Sequence, residues 1–230
     1  MEPTKTLQRH PGRVWVFRLA VTGIAIGFWF WTQTLISRRL PAPSGIDDTL
    51  LNLLGPINRY LLLHQPVANG LLIISSVLID LLAIFIFAEW LSGRTVRPLL
   101  GLGILVGLRQ LMIGLCALPK PENLIWHYPG FPSLLVTYGV ANDLAFSAHT
   151  AIAVFAATEV ARFGRRWLTL LGTAIAVFEA ITVLALRAHY TIDVCIAIIA
   201  ALYVAHIAER MSPWVDRKLE TIWSEKAPRA

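Results

Sequence analysis

A chain of 230 residues that is 56% hydrophobic and only 15% charged, with a mean hydropathy of +0.63, is not an ordinary soluble domain, which carries about 25% charged residues. The length suits one integral membrane domain over 1–230, with no room for a second folded unit. The net charge of +6 would suit nucleic acid, but no basic stripe is interleaved with aromatics and no nucleic-acid motif occurs, so no nucleic-acid partner is expected.

Six apolar runs follow in chain order, at 16–36, 67–88, 99–118, 144–161, 167–186 and 190–208. Each is about 18 to 22 residues long, against the ~20 needed to cross ~30 Å of hydrocarbon. With no water to satisfy the backbone, each must be a helix. The sequence therefore predicts an all-α, polytopic membrane protein with six transmembrane helices. The first run is longer than the apolar region of a signal peptide, lacks a small-residue cleavage site and follows Lys5, Arg9 and Arg13, so it reads as a retained signal anchor. Segment 47–65 is broken by Gly55-Pro56 and mixes leucines with Asp48, Asn52, Asn58 and Arg59, the pattern of two short interfacial helices. Segment 119–143 holds Pro119, Pro121, Pro129 and Pro132 with Trp126, Tyr128 and Phe131 between them, which suits a rigid cover in the headgroup layer. From Ser212 onward the tail is short and charged and reads as partly disordered. Cys116 and Cys195 fall inside apolar segments, form no metal spacing and read as packed membrane residues.

Lysine and arginine set the orientation. With the N-terminus inside, the inner segments carry thirteen (Lys5, Arg9, Arg13, Arg94, Arg97, Arg162, Arg165, Arg166, Arg210, Arg217, Lys218, Lys226, Arg229) and the outer segments four (Arg38, Arg39, Arg59, Lys120), leaving aside Arg187 beside His189. Both termini are thus expected in the cytoplasm. His149, at the start of the fourth run, and His189, between the fifth and sixth, then share the outer side. The short termini suggest a bacterial inner-membrane protein with a periplasmic site.

Ionisable groups at the ends of membrane spans are expensive and usually have a task. His189 and Asp193 are four residues apart, which brings them onto one face of a helix. A carboxylate behind an imidazole fixes its tautomer and stabilises its positive charge. The other ring nitrogen is left to attack phosphorus, giving a phosphohistidine. His149, from a separate helix, is then placed to protonate the departing oxygen and to deprotonate the acceptor. Ser147 to Thr150 lie near a helix start, where N–H groups and the dipole favour phosphate. Glu122 and Asp143 flank the outer segment and could contact an ammonium group. Arg109 and Glu179 sit at similar depth within their runs and are expected to pair, with Asp80 as the alternative partner. Glu159 lies near Arg162 and Arg165 and reads as a snorkelling carboxylate.

These residues carry a resemblance. Asn142 to Thr150 (Asn-Asp-Leu-Ala-Phe-Ser-Ala-His-Thr) and His189 to Val194 (His-Tyr-Thr-Ile-Asp-Val) resemble the third and fourth motifs of the sphingomyelin synthase family. Arg109 followed by Leu118-Pro119-Lys120-Pro121 resembles its second motif. The Asn-Asp opening and the run from Arg187 to Asp193 are also similar to the plant phosphatidylcholine:diacylglycerol cholinephosphotransferases. The chain departs at Ala141 and Asn142, where the animal enzymes have Cys-Gly, and at Ala148, where they have Gly. The resemblance implies a six-helix fold related to type 2 phosphatidic acid phosphatases, with His149, His189 and Asp193 as the catalytic set. It implies transfer of a phosphocholine-type headgroup to ceramide or diacylglycerol, with no metal and no other cofactor. The phosphatases' own Lys-x6-Arg-Pro motif is not present: Arg97-Pro98 has Trp90 where that lysine would stand. Fewer phosphate clamps fit a zwitterionic headgroup better than a dianionic monoester.

The leading reading is a phosphotransferase moving a phosphocholine- or phosphoethanolamine-type headgroup from a phospholipid donor to a lipid acceptor. Its catalytic residues are His149, His189 and Asp193, and its substrate-binding residues are Asp143, Ser147, Arg187, Tyr190, Arg109 and Glu122. Two alternatives stay open: a lipid phosphate phosphatase or phospholipase C-type hydrolase on the same scaffold, and a non-catalytic lipid-binding or transport protein. The oligomeric state is not readable from the sequence.

Overall fold

The computed structural model describes residues 11–38, 46–93, 95–138 and 143–225. The described residues form helices only: α1 (Pro11–Ser37), α2 (Thr49–Leu53), α3 (Gly55–Leu63), α4 (Gln65–Ser92), α5 (Arg97–Leu115), α6 (Ala148–Ala161), α7 (Arg166–Ala185) and α8 (Thr191–Glu225). Proline occupies the first turn of α3, α4 and α5, where its missing N–H has no intrahelical partner to lose and its fixed φ favours the helix. Five helices are long and apolar enough to cross a membrane, within α1, α4, α5, α7 and α8. α6, with 14 residues, is shorter.

α6 is nevertheless the centre of the bundle, packed against α7, α8, α4 and α5. Its Ala151, Ala153, Phe155 and Ala156 are almost wholly enclosed. Between membrane helices the hydrophobic effect is weak, and small residues at the contact let backbones approach. Gly172 on α7 shows the closeness: a Cβ there would stand 3.1 Å from Ala157 Cα. Gly101 on α5 leaves the room that the Phe155 ring fills, since a Cβ would fall 2.3 Å from its Cζ. Large apolar side chains such as Ile24, Leu81, Leu170 and Ile199 point outward, where lipid would receive them. α1 is peripheral and touches only α4 and α5 among the closely packed helix pairs.

Several boundaries differ from the sequence reading. α5 ends at Leu115 rather than at 118: Cys116 is already extended, and prolines at 119 and 121 discourage helix in the residues before them. The fourth run becomes helical only at Ala148, because Ser147 caps the helix and Ala145 has a left-handed φ of 77°. The tail from Ser212 is helical as far as Glu225, through Pro213. It is held in place, because Asp216 accepts the Val96 N–H at 2.8 Å and Ser212 is buried. Cys116 and Cys195 are exposed on the outer surface rather than packed inside.

Segment 119–138 contains no helix or strand, yet it is tied down at several points. Ile125 N–H donates to the Leu186 carbonyl at 2.8 Å. Asp80 of α4 accepts from the Ser133 hydroxyl and from the Leu134 and Leu135 N–H groups, at 2.7 to 3.0 Å.

Candidate active site

The two histidine motifs meet where α6 and α8 begin. Ser147 is extended, and its hydroxyl oxygen accepts the Thr150 N–H at 3.4 Å, an N-cap that puts His149 in the first turn. Ahead of α8 the chain turns sharply at Arg187, with φ 53°, and the Ala188 N–H reaches back to the Val183 carbonyl at 2.8 Å. That turn delivers His189 beside Asp193: one carboxylate oxygen lies 3.2 Å from His189 Nδ1 and accepts the Tyr190 N–H at 3.1 Å. Asp193 is fully buried, and its other oxygen has no partner among the described residues. A backbone bond joins the motifs directly, from Ser147 N–H to the Asp193 carbonyl at 3.3 Å.

His149 and His189 line one cleft of about 580 Å³, counting its open mouth. Arg109 and Asp143 line it as an ion pair, as do Lys120, Trp126, Trp29 and Gln33. The Trp126 ring stands edge-on to His149, centroids 5.2 Å apart. His149 Nε2 is buried without a hydrogen-bond partner among the described residues. One ring nitrogen of His189 faces a carboxylate while His149 has a bare nitrogen in the same cleft, an arrangement suited to holding, delivering and removing a proton.

Behind the cleft, segment 46–63 braces the turn. The Asp48 carboxylate caps α2 by accepting from Leu50 and Leu51 N–H, each at 3.1 Å. It also accepts the Thr191 N–H at 2.6 Å and the Thr191 hydroxyl at 2.7 Å. Burial pushes the Asp48 carboxyl up, but the bonds from Thr191, Leu51 and Leu50 outweigh it and hold the group below its ordinary value of 3.8. Asn58 donates to the Ala185 carbonyl at 3.0 Å and to the Asn123 carbonyl at 3.3 Å.

The residues singled out from the sequence divide accordingly. His149, His189, Arg109 and Asp143 face the cleft. Ser147 and Tyr190 are buried and do not line it. Arg187 donates to the carbonyls of Glu122 and Leu51, at 3.1 and 3.4 Å, so its cation braces backbone, and the Glu122 side chain is exposed away from the cleft. Ala141 and Asn142 lie outside the described residues. The expected pairing of Arg109 with Glu179 or Asp80 is not made. Arg109 pairs with Asp143, Glu179 accepts the Ser75 hydroxyl at 2.6 Å, and Asp80 is taken up by the outer segment. Depth along two helices does not fix which way each side chain faces, and here Glu179 faces α4. Glu159 is no snorkelling group: it is buried against Arg97, with Nη2 at 2.6 Å. Sequence reasoning missed Asp48 as a brace and Trp29 and Gln33 as cleft residues. The available signal for Gln33 was a polar amide inside the first apolar run.

The known proteins that this chain resembles are lipid phosphotransferases. Residues 50–210, more than half of the chain, match the AtPDCT1/2 family, and the chain belongs to that family, the phosphatidylcholine:diacylglycerol cholinephosphotransferases. It is also 35% identical over 88 residues to phosphatidylinositol:ceramide inositolphosphotransferase 3 of Arabidopsis thaliana, covering 36% of this chain and 29% of that protein. The chain thus spans less than a third of that relative's length. No solved structure matches.

Proposed function

We propose that the protein transfers the phosphate-bearing headgroup of a phospholipid to a ceramide or diacylglycerol hydroxyl, through a phosphohistidine on His189. The reading rests above all on one observation: His189, backed by Asp193 at 3.2 Å, shares a cleft with His149 and two cations. Asp193 holds the proton on Nδ1, which leaves Nε2 with its lone pair toward phosphorus. As the N–P bond forms, the bond from phosphorus to the diacylglycerol oxygen breaks, and protonated His149 gives that oxygen its proton. Diacylglycerol leaves. The acceptor hydroxyl then takes its place, loses its proton to His149 and attacks phosphorus, and His189 is released. Arg109 and Lys120 balance the charge that gathers on the phosphoryl oxygens. No metal ion or other cofactor enters this scheme.

In this reading α6 is a sixth crossing. At ~1.5 Å per residue it is about 21 Å long, and residues 144–147 complete the span toward the mouth of the cleft. α2 and α3 lie in the interface, and the thirteen-to-four distribution of Lys and Arg supports a cleft on the outer side of the membrane with both termini cytoplasmic. The family likeness favours phosphocholine or phosphoethanolamine as the group moved, whereas the Arabidopsis relative's name speaks for inositol phosphate.

The test is reconstitution of the full chain in vesicles with a headgroup-labelled phospholipid plus ceramide or diacylglycerol. Label on the acceptor lipid is the expected result. Label released into water would make the protein a hydrolase, and no turnover with any donor would make it a binder or transporter.

A further inference from the structure

The two histidines of the cleft are held by different means. His189 has the Asp193 carboxylate at 3.2 Å to set its ring, whereas His149 meets the Trp126 ring edge-on, centroids 5.2 Å apart. Trp126 is itself fixed from behind. Its indole N–H donates to the Thr137 carbonyl at 3.2 Å, and its ring lies against that of Tyr138, centroids 5.2 Å apart. The Tyr138 hydroxyl sits 2.5 Å from that of Ser76 on α4. Ser76 commits its single hydroxyl hydrogen to the Leu72 carbonyl at 2.8 Å, so Tyr138 is the donor between the two. One helical turn further along the same face of α4, Asp80 accepts from Ser133, Leu134 and Leu135. That pins the limb of the outer segment that carries Thr137 and Tyr138. A continuous path of contacts therefore runs from Ser76 through Tyr138 and Trp126 to His149.

We propose that Tyr138, anchored on Ser76, is a positioning residue: it acts through Trp126 to hold the His149 ring where it gives its proton to the departing oxygen. This deepens the transferase reading and rests on it. Proton transfer needs the ring nitrogen within hydrogen-bond reach of that oxygen, and a displacement of about 1 Å can cost a hundredfold in rate. A ring contact restrains an imidazole without tying up its nitrogens. His149 thus stays free to release and take up a proton, which a carboxylate beside it, of the kind His189 has, would hold on the ring. Trp126 and Thr137 line the cleft and Tyr138 stands behind them, so the tyrosine acts at one remove from the substrate. α4 suits the part of anchor, since it packs against α6 itself and Ser76 is buried. The Tyr138 hydroxyl ties the segment over the cleft to the same bundle that carries His149, and the reach from acid to substrate is set by packed helices.

The experiment removes single hydroxyls and varies the leaving group. Tyr138→Phe keeps the ring against Trp126, and Ser76→Ala removes its anchor. In the full chain in vesicles, the first-turnover release of diacylglycerol from phosphatidylcholine should slow by about tenfold in each variant. The double variant should be no slower than either single one, because both changes cut the same bond. With p-nitrophenyl phosphocholine as donor the nitrophenolate departs without a proton, so its release should slow by less than about twofold. A loss of equal size with both donors marks a merely structural role and would overturn the proposal, as would an unchanged rate with phosphatidylcholine. Isotope-edited NMR of the chain with labelled histidine, in detergent micelles, gives a readout independent of turnover. The His149 signal, identified by its loss in His149→Ala, should move or broaden in both single variants while that of His189 holds. A His149 signal identical in the unaltered protein and both variants would sink the positioning role even where transfer proceeds. A moved signal in a protein that turns over no phospholipid would uphold the hold on His149 and bring down the transferase reading instead.

Discussion

The two ends of α6 hold buried charge in opposite conditions. At its C-terminal end Glu159 is buried and receives both Nε and Nη2 of Arg97, at 3.1 and 2.6 Å. At its N-terminal end His149 Nε2, two nitrogens of Arg109 and the Gln33 amide are as deeply enclosed and have no partners among the described residues. A satisfied buried pair holds helices together, and leaving it half-made costs stability. Enclosed groups without partners are instead arranged for something that arrives. In the proposed reading the same helix carries a structural device at one end and a chemical one at the other.

Substitutions should separate the two. The largest effect belongs to His189→Ala at the N-terminal end: turnover should fall by more than about ten-thousandfold, beyond the loss of acid–base assistance alone, while the protein stays folded and inserted. Initial rates in vesicles, alongside thermal unfolding, check both halves, and a variant keeping a tenth of the rate would remove His189 from the covalent role. Asp193→Asn keeps the shape but not the charge behind the imidazole. We expect a fall in kcat on the order of a hundredfold with lipid binding kept, and an unchanged rate would reduce Asp193 to a packing residue.

At the other end the pattern inverts. Glu159→Gln leaves Arg97 without its ion-pair partner and should cost about 3 kcal/mol of stability, with kcat and KM per folded molecule near those of the unaltered protein. A catalytic loss without a stability loss would break the contrast between the ends. A smaller effect falls on the brace behind the cleft. Asp48→Ala removes an N-cap worth about 1 kcal/mol and frees Thr191, so kcat should drop several-fold with the donor preference unaltered. Because the Asp48 carboxyl is held below its ordinary value of 3.8, its stabilising contribution is complete above that pH and disappears as the pH falls through the lower, folded value. Acid unfolding curves of the protein and of Asp48→Ala should therefore converge only under strongly acidic conditions. Curves parallel at every pH would contradict the brace.

How much of this could be read from the sequence follows from the range of the interactions. His189 and Asp193 are one helical turn apart, and their spacing alone brought them together. The apolar runs gave the helices because a lipid-facing backbone has no other way to satisfy itself. Arg109 with Asp143 was not legible, because Asp143 precedes the capped start of α6 in an irregular stretch whose path the pattern does not fix. Glu159 with Arg97 was hidden for a related reason: Arg162 and Arg165 are nearer in sequence, but only the fold brings α5 against α6. Trp29 and Gln33 lie in a helix with apolar residues on every side, so no periodicity marked the face that meets the cleft. The continuation of α8 past Pro213 depends on Asp216 reaching Val96, a contact between distant parts of the chain.

The central claim is that the unpartnered end of α6 and the start of α8 form a site where phosphorus is passed to His189. The most direct measurement is rapid-quench labelling of the full chain in vesicles with a phospholipid carrying radioactive phosphorus in its headgroup, before acceptor is added. The account predicts label on the protein that survives base and is lost in acid, that maps to His189, that is absent from His189→Ala and that moves to ceramide or diacylglycerol when either is supplied. Transfer to the acceptor at full rate, with no protein-bound label at any quench time down to a single turnover, would contradict it and leave direct displacement between the two lipids.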